Sequence, residues 1–175
     1  TGHLADGEGG EPRVEARAAI DASGTRRSPN PAGADGLPAL GERAAGDLLS
    51  YQVPDRATPE RHAGRHTVVV GAGDSAFNAI HELVQISADH PGTRITWVLR
   101  RVVSDSTFGG GAADQLPQRG ALGQRAKKAV ESGAVELVTG FRTAEIRREE
   151  GRAVLIGEDG RALPAADAVV VLTGF

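Results

Sequence analysis

The sequence predicts an α/β fold, a parallel sheet flanked by helices with a β-hairpin inserted before the last strand. Three observations carry this expectation. The β-branched run Thr67-Val68-Val69-Val70 enters directly into Gly71-Ala72-Gly73, and an apolar pattern of helical spacing follows. A second apolar, β-rich run, Thr93 to Leu99, comes after that helix, completing a βαβ unit that is right-handed by default. Further along, two alternating segments separated by Glu149-Glu150-Gly151-Arg152 read as a hairpin.

Taken in order, residues 1–12 are rich in Gly and Glu and read as a loop or hairpin tip. Val14 to Ile20 reads as a strand running into Asp21-Ala22-Ser23-Gly24-Thr25. Residues 28–41 hold Pro29, Pro31 and Pro38 among glycines and form an extended loop. A short strand is expected near Leu49 to Val53, ended by Pro54. Thr67 to Val70 has the continuous apolar character of a parallel strand buried on both faces. The helix spans Asp74 to about Ala88, with Ala76, Ala79, Ile80, Leu83 and Val84 on one face. Asp74 or Ser75 is expected to cap it, and His90-Pro91-Gly92 stops it. A loop over 104–120 contains Gly109-Gly110-Gly111, and a second amphipathic helix covers Ala121 to Glu131. Val135 to Thr139 is the third strand of the sheet. The hairpin strands are Thr143–Arg148 and Ala153–Glu158, Asp159-Gly160 makes the next turn, and Val169 to Leu172 is the last strand.

The composition excludes several classes. The chain has 175 residues with 39% hydrophobic and 25% charged, the values of a globular domain. With no cysteine, this stretch holds no disulfide framework, thiolate zinc site or CxxC pair. No apolar run approaches the ~18 residues of a membrane span, and no charged-then-apolar leader is present, so the cytoplasm is the expected compartment. The beginning at Thr1, and the stop on a buried-type strand and Thr173-Gly174-Phe175, suggest a piece of a longer protein. The net charge of −3 hides a local excess: residues 91–130 carry seven basic and two acidic side chains. A local positive segment in an acidic chain suits a small anionic ligand. Nucleic-acid domains usually show a pI above ~9 and a wide basic face, and aromatics here are only 3%.

Gly71-Ala72-Gly73-Asp74-Ser75-Ala76 fits G-x-G-x-x-A between a strand and a helix, a Rossmann-like dinucleotide turn. The first glycine permits the tight turn, the second lets a pyrophosphate approach the backbone, and Ala76 allows close helix–strand packing. The helix N-terminus supplies N–H groups and the positive end of a dipole. A tight structural turn is the plainer alternative. The end of the second strand selects the dinucleotide. An acidic residue there holds the ribose of NAD, whereas arginine accommodates the 2′-phosphate of NADP. The sequence places Arg100-Arg101 after Trp97-Val98-Leu99, which favours NADP. Two solvated arginines are the alternative, and Asp105 is a rival contact for a ribose.

These residues resemble the pyridine-nucleotide-binding part of flavoproteins with two dinucleotide-binding domains, such as thioredoxin-reductase-like enzymes and flavin-containing monooxygenases. Val69 to Ala76 is similar to their second glycine turn, and Val98-Leu99-Arg100-Arg101 to its basic strand end. Ile20 to Thr25 is similar to the segment that leaves the FAD domain, and Asp167 to Phe175 to the segment that returns there. The resemblance implies a partial FAD-domain stub and linker over 1–60, an NAD(P)-binding domain over 61–172 and the start of the return over 173–175. It implies NADPH on this domain passing hydride to FAD, with Gly24, Thr173 and Gly174 near the domain junction and the flavin. It implies the FAD domain of the same chain as partner, with a small-molecule substrate. The chain has no CxxC, and Arg61 to His66 lacks the Phe-x-Gly-then-His fingerprint of the monooxygenases.

Other residues have plainer readings. His62, His66 and His81 have no partners at metal-ligand spacing and are expected to be structural or solvated. Ser75 is not in a nucleophile elbow, and its expected job is capping or phosphate contact. Phe108-Gly109-Gly110-Gly111 reads equally as a cofactor clamp or a free loop, and Trp97 as core. Arg125, Lys127 and Lys128 read as a solvated helix face. No catalytic acid or base can be named, as suits hydride transfer between cofactors. Two rival functions are a nucleotide-sensing module without turnover and a methyltransferase with a similar glycine turn.

Overall fold

The computed structural model describes residues 2–3, 13–14, 29–103, 107–108 and 117–174, with side chains from residue 29 onward and from residue 120 in the last segment. Strands β1 (Gly2–His3) and β2 (Arg13–Val14) pair antiparallel. The remainder of the strand expected over 14–20, the segment Asp21–Thr25 with Gly24, Asp105, Gly109–Gly111 and Phe175 lie outside the described residues. The main sheet contains β3 (Leu49–Ser50), β4 (His66–Val70), β5 (Arg94–Val98), β6 (Glu136–Val138) and β9 (Ala168–Val171). Its order is β3-β9-β4-β5-β6 and every pairing is parallel. Helix α1 (Asp74–Asp89) crosses from β4 to β5, and α2 (Pro117–Glu131) crosses from β5 to β6. Helix α2 thus begins four positions earlier than the expected Ala121, at a proline whose fixed φ suits a first helical position.

The chain then reverses direction in a hairpin of β7 (Thr143–Glu149) and β8 (Arg152–Gly157). Its turn places Glu150 at φ 48° and Gly151 at φ 78°, the paired positive φ values that match strand twist in two-residue hairpins. This hairpin forms a third layer. Val69, Trp97 and Val170 face α1 and α2, packing with Phe77, Ile80, Leu83 and Ala126. The alternate residues Val68, Val70, Val98, Val169 and Val171 pack with Phe141, Ile146 and Leu155 of the hairpin layer. Both faces of the parallel sheet are therefore covered, and this is why its strands carry continuous apolar runs.

The expected strand over Leu49–Val53 shrinks to Leu49–Ser50, paired with β9 at the edge of the sheet among the described residues. Packing runs unbroken across residue 60: Ala32, Ala39, Ala45 and Leu49 share one core with Val68 and Leu155. The segment over 30–42 is laid on the hairpin. Ala34 N–H donates to Thr143 O at 3.0 Å, Leu40 N–H to Ala144 O at 2.9 Å, and Ile146 N–H to Leu40 O at 2.8 Å.

Candidate functional site

The order of the sheet positions the site. From β4 the chain moves outward to β5 and β6 on one side, and later returns to β9 on the other. The carboxyl end of β4 is thus the switch point, where open α/β sheets leave a crevice. A cavity of about 620 Å³ opens there, lined by Val70, Gly71, Ala72, Gly73, Asp74 and Ser75 from the turn and by Leu172, Thr173 and Gly174 from the end of β9. That volume falls within the usual range for small-molecule sites. Arg100, Val98, residues Asn30–Ala34, Gly36, Phe141 and Thr143 form the rest of the wall.

The two glycines of the turn have different reasons to be glycine. Gly71 sits at φ 141°, and a Cβ on it would lie 2.2 Å from Leu172 O, so the fold itself demands its small size. Gly73 has φ −91° and ψ −178°, extended backbone open to any residue, and a Cβ on it would meet nothing within 4 Å. The fold does not require glycine at Gly73. Its missing side chain leaves room in the cavity at the start of α1, a cradle that suits a pyrophosphate.

Gly73 is also the N-cap of α1, a residue with no side chain to donate or accept a capping bond, and Asp74 places an acidic group in the first turn. Asp74 and Ser75 are the first helical residues, and the Asp74 carboxylate stands at the positive end of the helix dipole. Ala76 is fully buried under the turn, against the sheet.

Arg100 reaches the cavity wall, and its Nη1 donates to Ala34 O at 2.8 Å. Arg101 is exposed and does not line the cavity. Thr173 Oγ1 lies 2.9 Å from the carbonyls of both Asn30 and Pro31, while Asn30 N–H donates to Gly174 O at 3.0 Å. These bonds clasp the segment at 30–31 to the end of β9. Most of the basic segment over 91–130 lies elsewhere. Arg94, Arg125, Lys127 and Lys128 are exposed and do not line the cavity, and Lys127 pairs with Glu131 along α2 at 3.9 Å.

The remaining candidates are structural. Trp97 is 0% exposed, and its Nε1 donates to Gly71 O at 2.7 Å. Phe77 and Phe108 meet its ring edge-on, with centroids 5.7 and 6.0 Å away, so Phe108 packs on the core. His66 is buried, with Nδ1 3.0 Å from Ala165 O and Nε2 2.9 Å from Thr96 Oγ1. His62 is buried with Nδ1 2.9 Å from Thr67 Oγ1. Burial, with the nearby Arg61 and Arg65 charges, lowers its pKa to about 4. Among the described residues no three His, Asp or Glu converge as a metal site, and no helix is long and apolar enough to cross a membrane.

Sequence reasoning missed Asn30 and Ala34 as wall residues. The Pro29-Asn30-Pro31 run marked a loop, and the bonds to Thr173 and Gly174, with that of Ala34 to Thr143, bring it to the site.

No protein-family model matches the sequence, and a search of curated proteins finds no match. Solved structures do match. The chain superposes on thioredoxin reductase from Giardia duodenalis with a TM-score of 0.53 and 25% identity, covering 79% of this chain and 40% of that one. It shares its fold with a flavoprotein disulfide reductase from Escherichia coli, at a TM-score of 0.55 and 14% identity over 79% of this chain and 27% of that one. It also shares it with a bacillithiol disulfide reductase from Staphylococcus aureus, at 0.54 and 12% over 78% of this chain and 35% of that one. The chain thus spans well under half the length of the structures it matches. The similarity to thioredoxin-reductase-like flavoproteins expected from the sequence is met in three dimensions, and the matches extend to pyridine nucleotide-disulfide oxidoreductases. What these likenesses show is a shared Rossmann-like α/β fold.

Proposed function

We propose that this chain is the NADPH-binding portion of a flavin-dependent oxidoreductase that passes hydride from NADPH to FAD. The observation that carries the reading is the open space at Gly73: the fold does not need a glycine there, and a dinucleotide does. The turn from Gly71 to Gly73 and the start of α1 would take the pyrophosphate through backbone N–H groups, which hold an anion without a side-chain cation. Arg100 would take the 2′-phosphate. Its bond to Ala34 O uses Nη1, and a guanidinium has five N–H donors. Thr173 and Gly174, clasped to Asn30, would form the wall nearest the flavin. Bound NADPH would supply the hydride and FAD would accept it, so the chain's own task is positioning and keeping water out. With no cysteine, this stretch offers no thiol to relay electrons onward.

The test uses the full-length protein. It is expected to be yellow, and its flavin absorbance should bleach when NADPH is added without oxygen. A colourless protein that releases no flavin on denaturation would overturn the reading.

A further inference from the structure

One buried carboxylate stands behind the cavity wall without lining it. Glu42 is 3% exposed, and donors converge on it: Ala32 N–H at 3.0 and 3.2 Å to its two oxygens, Ala39 N–H at 2.7 Å and the Tyr51 hydroxyl at 2.7 Å. A buried carboxylate is tolerated only where donors converge in this way. Burial, together with the Glu42 carboxylate, raises the Tyr51 pKa, so the phenol remains the donor. The two amides that Glu42 holds are seven positions apart, and they close the curl between them. Within that curl the Ala34 carbonyl accepts the Arg100 guanidinium at 2.8 Å. The line of contact therefore runs from Glu42 to the curl, from the curl to Ala34 O, and from there to Arg100 at the cavity.

A long arginine side chain has many rotamers, and one bond to a fixed carbonyl restricts where the rest of its planar fork can point. We propose that Glu42 is a positioning residue for nucleotide selectivity: by closing residues 32–39 it fixes the Ala34 carbonyl that orients Arg100, and so sets the preference for a 2′-phosphate without touching the nucleotide. This rests on reading Arg100 as the 2′-phosphate contact. A role confined to holding the fold together would weaken NAD+ and NADP+ alike, so the ratio of the two affinities separates the cases.

The experiment is calorimetric titration of the full-length protein with NADP+ and with NAD+, for wild type, Glu42→Gln, Glu42→Ala and Arg100→Ala. Gln keeps the volume of Glu but offers one acceptor oxygen and one NH2, and the Tyr51 hydroxyl can turn to accept from that NH2. The Gln variant should therefore fold with a looser curl. Its preference for NADP+ over NAD+ should fall roughly three- to tenfold, the effect of losing one charge-assisted contact. The Ala variant should lose more, and if it does not fold the Gln variant decides alone. A Gln variant that keeps the wild-type ratio, or weakens both nucleotides equally, while Arg100→Ala abolishes the preference, overturns the proposal alone. A wild type with no preference, or an Arg100→Ala protein that retains it, overturns the Arg100 reading and this inference with it, independently of any Glu42 variant.

Discussion

The indole Nε1 of Trp97 donates to the carbonyl of Gly71 at 2.7 Å, tying the middle of β5 to the glycine turn at the end of β4. Trp97 is the single tryptophan of the chain and is completely buried. Replacing it with Phe keeps an aromatic ring but leaves the Gly71 carbonyl without its donor and a void beside Phe77. Trp97→Phe should cost roughly 2–3 kcal/mol of stability and weaken dinucleotide binding together with it. Urea unfolding followed by circular dichroism measures the first, since the substitution removes the fluorophore. A loss below about 0.5 kcal/mol would show that the bond is not what holds the turn.

The two glycines of the turn should separate folding from binding. Gly71→Ala places a Cβ against the Leu172 carbonyl at a positive φ, and should destabilise by more than about 2 kcal/mol. Gly73→Ala adds a methyl where the protein leaves open space, so stability should change by no more than about 1 kcal/mol, the cost of a poorer N-cap. Its NADP+ affinity should nevertheless drop at least about tenfold. Thermal unfolding beside NADP+ titration reads both effects. Unchanged affinity in Gly73→Ala would remove the pyrophosphate cradle from the account.

The adjacent arginines should behave differently. Arg100 lines the cavity and Arg101 does not. Arg100→Ala should weaken NADP+ by about 10- to 100-fold with little effect on NAD+, as expected for charged hydrogen bonds to one phosphate. Arg101→Ala should change neither by more than about threefold. Equal loss of NAD+ and NADP+ on Arg100→Ala would refute the 2′-phosphate assignment.

His62 gives the fold a pH dependence of known sign. Its pKa is lowered from the ordinary 6.5 to about 4 by burial first, then by the charges of Arg61 and Arg65. Between those values the unfolded chain binds a proton that the folded chain refuses. Stability should therefore be fully present above about pH 6.5 and fall as pH drops toward 4, with a slope of at most about 1.4 kcal/mol per pH unit from this group. Urea unfolding at intervals from pH 7 to pH 4.5 measures the slope. Substituting His62→Gln should flatten that part of the curve, and an unaltered slope would show that other groups govern it.

Much of the fold is legible in the amino-acid order. The run from Thr67 to Val70 reads as a doubly covered parallel strand because both of its faces are in fact apolar contacts, helices on one side and Phe141, Ile146 and Leu155 on the other. The hairpin is legible from the alternating segments on either side of Glu149-Glu150-Gly151-Arg152, although Glu150 takes a positive φ that few non-glycine residues adopt. Boundaries are less so. Helix α2 starts at Pro117 because proline can open a helix as readily as end one, and periodicity alone cannot tell which. The strand at Leu49 ends after Ser50, and among the described residues it pairs with β9 alone, a tertiary fact that no local pattern encodes.

Spacing, φ requirements and charge are carried by neighbours in the chain, so the βαβ unit, the glycine turn and the basic end of the second strand are all written locally. Which of them meet is settled by tertiary packing. Gly71 is glycine for the fold while Gly73 has no such need, Arg100 reaches the cavity and Arg101 does not, and Asn30 joins the site from 143 positions before Thr173. A parallel sheet gathers the carboxyl ends of strands that are far apart in sequence, and that gathering, which no local pattern encodes, builds the cavity.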